Sequence, residues 1–239
     1  MVRELSQEKI IHIFESSWNK LIEIYSEKRL LPSWCSEGDI QLNLAHNLLT
    51  TLSPSQVHIE FPIPLDVTTF ADQLYYNGRV KRTPGKCIVA DICLLDDNNL
   101  YPYLIAEIKF QPVYIGYYDL FHALRLKEQG NDYSPVVDRL RNLIPKLESW
   151  AVKGPSKREI STIYLKNIQK MINILKDFKN IEKRDIIGYV CIIDEIYSDL
   201  KDRLSAEIKK INPPDNFRLI INYINMKEPL NKILARLLE

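Results

Sequence analysis

Asp91, Glu107 and Lys109 set two carboxylates and an amine within two neighbouring apolar runs. Asp91 sits inside the apolar run Cys87 to Leu95, and Glu107 and Lys109 sit inside Leu100 to Phe110. Both runs are rich in β-branched and aromatic residues and read as strands. The Asp96-Asp97-Asn98-Asn99 cluster between them is turn chemistry. Burying ionised groups in such strands costs several kcal/mol unless a partner or a metal compensates. Successive strand residues point to opposite faces, so Glu107 and Lys109 share a face while Ile108 points away. If the strands pair through Asp97-Asn98, Asp91 lies within a couple of residues of Glu107. Two carboxylates with a backbone carbonyl between them form a hard-oxygen site suited to Mg2+. Mg2+ polarises a phosphate and lowers the pKa of a bound water, and a neighbouring ammonium can place that water or offset developing charge. The constellation suggests a metal-dependent phosphodiesterase site. Its alternative is an edge-strand ion pair, with Lys109 bridging Glu107 and the acids solvated.

The elements that must hold these residues follow from periodicity. Ile10, Ile13, Phe14, Trp18, Leu21, Ile22 and Tyr25 have helical spacing over about 7–28. A second helix runs from Glu37 to Leu52 on an Ile40/Leu44/Leu48 stripe. Val57 to Ile63 alternates like a strand, and its proline places it near an edge or a bend. After Phe110 the pattern is helical over 118–128, 136–150 and 157–178. Asp185 to Ile193 is a near-continuous apolar strand of the type buried on both faces. A helix over 200–211, a strand over 217–224 and a helix over 230–238 complete the order. Three strands joined by short connections favour antiparallel neighbours, whereas the later strands follow helices and allow parallel crossovers. The expected fold is α/β: one mixed sheet flanked by helices, in a single domain over 1–239 with a helical insertion at about 127–180.

Composition constrains the partners little. The 239 residues carry a formal net charge of +1, so any nucleic-acid binding must rest on a local patch. Cys35, Cys87, Cys93 and Cys191 are scattered without zinc spacing and read as small buried apolar residues. The four histidines form no local ligand pair. Met1 to Lys20 has no apolar run of the secretory kind, and no stretch reaches the ~20 apolar residues that span a bilayer. A reducing cytoplasm is the expected location.

Asp91 followed by Glu107-Ile108-Lys109 resembles the signature of the PD-(D/E)xK nuclease superfamily, the restriction endonuclease-like group that includes Holliday junction resolvases and RecB-type nuclease domains. The proline usual before the first acid is Ala90 here, a departure that removes no ligand. The resemblance implies a Mg2+-dependent nuclease, with Mn2+ able to substitute, acting on DNA or alternatively on RNA. It implies Asp91 and Glu107 as metal ligands, the Ile108 carbonyl as another, and Lys109 as the group orienting the attacking water. It also implies a further acid on the preceding helix. Glu37 and Gln41 flank the apolar stripe of that helix, whereas Asp39 lies on the Asn43/His46/Asn47 side, read as solvated. Glu37 is therefore favoured to hold a second metal, with Asp39 left open. Later helices of the superfamily often turn polar residues toward the site, and Lys166, Gln169 and Lys170 resemble such a contribution; a solvated helix face is the other reading.

Arg79, Lys81, Arg82 and Lys86 cluster just before the Asp91 strand, interleaved with Tyr75 and Tyr76. Such a loop could track a phosphate backbone, with tyrosines stacking on unpaired bases, or be a solvated hairpin. The helical region after Lys127 is where specificity or a homodimer contact is expected. The rival functional class is a non-cleaving member of the fold that binds nucleic acid or a partner protein.

Overall fold

The computed structural model describes residues 6–27, 35–64, 87–96, 101–113, 117–182 and 185–239. Helix α1 (Gln7–Glu27) and helix α2 (Glu37–Leu48) precede strands β1 (Val57–Pro64), β2 (Cys87–Leu95) and β3 (Pro102–Gln111). Helices α3 (Tyr117–Glu128) and α4 (Ser134–Lys153) follow. Helix α5 starts at Lys157–Glu159, widens to π geometry over Ile160–Leu165 and continues as Lys166–Glu182. Strand β4 (Ile187–Asp194), helix α6 (Leu200–Ile211), strand β5 (Phe217–Tyr223) and helix α7 (Lys227–Leu238) end the chain.

The strands form one five-stranded mixed sheet in the order β1-β2-β3-β4-β5, flanked by the seven helices. β1, β2 and β3 pair antiparallel, whereas β4 lies parallel to β3 and β5 parallel to β4. The change of direction falls at β3, after which the strands are joined through helices, as parallel pairing requires. β1, with Pro62, is an edge strand, where proline is tolerated. β4 is buried at every position, which explains its unbroken apolar run.

Two helix layers cover the sheet. On one face, Phe14 and Trp18 of α1 and Ile40, Leu44 and Leu48 of α2 pack with Ile92, Leu104, Ala106, Ile108 and Tyr189. The Trp18 indole donates to Asn222 Oδ1 at 2.8 Å, tying α1 to β5. On the other face, Ile168, Met171 and Leu175 of α5 and Leu204 of α6 pack with Cys93, Ile105, Val190 and Ile192. Gly188 makes room for α5: a Cβ there would stand 2.8 Å from Met171 Sδ and 2.9 Å from Leu175 Cδ1. A third cluster joins Ala123 of α3, Val137 and Leu140 of α4, and Leu230 and Leu237 of α7. The segment at about 127–180 therefore divides, with α4 in this third cluster and α5 laid over the sheet. Cys93 and Cys191 are free and buried, and Cys35 is free and partly buried. Among the described residues no helix is long and apolar enough to cross a membrane.

Candidate active site

The sheet forks where the chemistry-bearing residues lie. β2 pairs with β3 from Leu95↔Pro102 to Ile92↔Ala106, and that ladder ends there. Beyond it β2 stays with β1 as far as Cys87, while β3 stays with β4 as far as Gln111. Asp91 and Glu107, the next residue on each strand, stand at the crotch. The Ile108 N–H, outside that ladder, donates to Asp91 Oδ2 at 2.6 Å. A strand residue projects its N–H and C=O from one edge, so the Ile108 carbonyl opens toward β2 as well.

Ala106 and Ile108 lie in the α1–α2 core, so the alternating Glu107 and Lys109 project toward the α5 face. There the Lys109 ammonium sits 3.0 Å from Glu37 Oε1, 3.1 Å from Glu107 Oε1 and 4.0 Å from Asp91 Oδ2. Lys170, reaching down from α5, places its ammonium 3.0 Å from Glu107 Oε2. Three carboxylates thus share two ammoniums in a pocket where the Glu107 side chain is only 8% exposed and that of Asp91 14%. Glu37 and Lys170 lie nearer solvent, with side chains 37% and 32% exposed.

These neighbours set the protonation equilibria. Burial pushes the Asp91 carboxyl up to about 6, and the Glu107 charge adds to that. The Ile108 N–H and Lys109 pull it back only in part. Burial works against the Lys109 charge, but Glu107, Glu37 and Asp91 together outweigh it and hold the ammonium above the usual lysine value.

Local sequence explains which helix acid arrives. Ser36 caps α2, and Asp39 closes the capping box by accepting from the Ser36 N–H at 2.7 Å and the Ser36 hydroxyl at 2.8 Å. Those bonds hold the exposed Asp39 carboxyl below its usual value and engage it on Ser36. Glu37, two residues earlier, is the acid that meets Lys109. The side of α2 read as solvated is covered in part: Asn47 is buried, with its amide 3.4 Å from the Ser17 carbonyl, because α1 packs over it.

Of the remaining candidates, Lys170 joins the cluster, whereas the Gln169 amide donates to Asn173 at 2.9 Å on an exposed stretch. Arg79, Lys81, Arg82 and Lys86, with Tyr75 and Tyr76, lie outside the described residues. Asp194 and Glu195, at the end of β4, are further buried acids without a motif in the sequence. Asp194 is fully buried and accepts from the Tyr164 hydroxyl at 2.7 Å and from the backbone N–H groups of Ile196 and Tyr197. Glu195 accepts from the Val113 N–H at 2.7 Å, fastening the chain beyond β3 to the end of β4. Their only sequence signal was an acid doublet closing the most apolar strand.

Among the described residues no group of three His, Cys, Asp or Glu side chains stands ready to cage a metal ion. The donor chemistry nevertheless suits a hard cation. Glu37, Asp91 and Glu107 all turn toward one positive centre, the Lys109 ammonium, and their charges exceed those of the two lysines by one. No family model, curated protein or solved structure matches this chain.

Proposed function

We propose that this chain is a divalent-cation-dependent nuclease of the restriction endonuclease-like fold, hydrolysing phosphodiester bonds in DNA. The observation that carries the reading is the meeting of Glu37, Asp91 and Glu107 around Lys109 at the fork between β2 and β3. Asp91, Glu107 and the Ile108 carbonyl would hold Mg2+ or Mn2+. When bound, the ion supplies Lewis acidity at a phosphate oxygen and a water of lowered pKa. Lys109 would orient the attacking water and offset the charge that grows on the non-bridging phosphate oxygens. Glu37 keeps the Lys109 ammonium in place, and by the family resemblance it would also hold a second ion, directly or through water.

The test is purified protein with Mg2+ or Mn2+ against single-stranded, duplex, flap and four-way DNA, with matching RNA. The expected result is metal-dependent cleavage lost in both Asp91→Ala and Lys109→Ala. Cleavage that survives either substitution removes the assignment of this site. One observation favours the rival reading of a non-cleaving binding module: ammoniums take both oxygens of Glu107, so that acid is compensated without metal. That reading predicts nucleic-acid or protein binding with no cleavage under any divalent ion. Light scattering on the same preparation tests for a homodimer.

A further inference from the structure

We propose that Lys170 is a phosphate-binding residue held in reserve by Glu107, so that a divalent cation and a nucleic-acid backbone bind cooperatively. This rests on the metal-dependent reading above and adds to it a residue and a coupling.

The Glu107 carboxylate has two oxygens, and each meets a different lysine, Lys109 at 3.1 Å and Lys170 at 3.0 Å. A hard cation contacts carboxylate oxygens at about 2.0–2.6 Å. Each oxygen keeps a second lone pair, so an ammonium on it opposes the cation by charge. Metal ligation by Glu107 is therefore strengthened when one lysine withdraws.

The two lysines are not equivalent. Lys109 keeps Glu37 at 3.0 Å and Asp91 at 4.0 Å if Glu107 turns away. Among the described residues Lys170 makes its one ion pair with Glu107, and its side chain is a third exposed. Lys170 is thus the residue set free, on the solvent side of the fork and one turn of α5 from Lys166 on the same helix face.

Charge balance gives the freed group its ligand. Three carboxylates and two ammoniums leave one net negative charge, which a divalent cation converts to one net positive charge. A phosphodiester carries the single negative charge that restores neutrality. A phosphate oxygen beside the metal then replaces Glu107 as the partner of Lys170, forming the charge-assisted bond that lysine favours. Metal and backbone each remove an obstacle to the other, which is a reciprocal coupling between two sites.

The experiment uses the full chain and Mn2+ as probe, with free Mn2+ read by electron paramagnetic resonance. Titrations are run with and without a short cleavage-resistant phosphorothioate oligodeoxynucleotide, on wild type, Lys170→Gln and Lys170→Arg. For wild type and Lys170→Arg, the oligonucleotide is expected to tighten Mn2+ binding. Lys170→Gln is expected to bind Mn2+ alone about 3–10-fold more tightly than wild type and to lose the oligonucleotide enhancement. A lysine that merely neutralised a buried acid would leave that enhancement intact. Thermal melting confirms that each variant is folded, and Lys170→Met, which keeps the aliphatic stem, replaces Lys170→Gln if it does not fold. Unchanged or weaker Mn2+ binding by the folded variant, or enhancement that persists without Lys170, overturns the proposal while leaving the metal reading in place. Wild type that binds no Mn2+ overturns both.

Discussion

Asp91→Asn should make this protein more stable at neutral pH, and the size of the effect follows from the fork. The Asp91 carboxyl rises from 3.8 to about 6 on folding, first through burial and then through the Glu107 charge. A displacement of about two units corresponds to roughly 3 kcal/mol. Below the unfolded value both states hold the proton and nothing is lost. As the pH rises between the two values, the unfolded chain has released a proton that the folded chain still retains. Folded-state stability therefore falls across that window, and the full penalty persists above about 6. Asparagine stays neutral throughout, and its carbonyl oxygen can still accept from the Ile108 N–H, so it resembles the protonated acid. The variant should match wild type near pH 3.5 and exceed it by up to about 3 kcal/mol near pH 7.5, or roughly 6–12 °C in melting temperature. Urea denaturation of both proteins across that range measures the difference directly. Adding Mg2+ should reverse the order, because wild type gains stability by binding what the variant cannot. A variant less stable than wild type at neutral pH, or a difference that does not change with pH, would refute the reasoning.

Three other outcomes follow from the same geometry. Metal uptake should weaken by roughly tenfold per pH unit below about 6, because Asp91 must shed its proton to ligate; calorimetry at several pH values reads this. Lys109→Met should cost roughly 2–4 kcal/mol in the metal-free protein by leaving the Glu107 and Asp91 charges undercompensated, whereas Glu37→Gln, at a more exposed pair, should cost under about 1 kcal/mol; chemical denaturation in a chelating buffer separates them. Gly188→Ala should cost about 1–3 kcal/mol by pressing on Met171 and Leu175, and by lifting α5 it should weaken the contact of Lys170 with Glu107; a melting curve gives the first and a crystal structure the second.

The neighbouring of the Asp91 and Glu107 strands was legible because strand alternation is a local signal, and the later parallel pairing because helices separate those strands. The Ile92↔Ala106 register puts those two acids on facing strands; the turn expected at Asp97-Asn98 lies outside the described residues. The preference for Glu37 was legible from helical spacing, although the capping box that engages Asp39 could have been read as well: serine followed three residues later by an acid. Lys170 stayed ambiguous because the polar flank of a helix looks the same whether it meets water or a buried acid. Helical spacing alone places Asn47 on a solvated side, because only packing by α1, some thirty residues away in sequence, buries it. Asp194 and Glu195 carry no local signal, because acids at a strand end resemble turn residues and nothing in the sequence says that backbone N–H groups will converge on them.

β3 pairs antiparallel with β2 and parallel with β4, and where β2 and β3 part the two ladders no longer fill the space between them. That opening is what lets charged groups approach one another without leaving the sheet. The groups do not depend on a common element: Asp91 is carried by β2, Glu107 and Lys109 by β3, Glu37 by a helix of one layer and Lys170 by a helix of the other. Each layer is fixed by its own apolar cluster, so the positions of Glu37 and Lys170 are set by separate packing surfaces. A charge cluster assembled this way is sensitive to core substitutions far from it. Repacking α2 against β3 should move Glu37 relative to Lys109 while leaving Lys170 on Glu107, and repacking α5 against β4 should do the reverse. The two helix layers thus govern the two cationic contacts independently, which a site built on a single hairpin could not achieve.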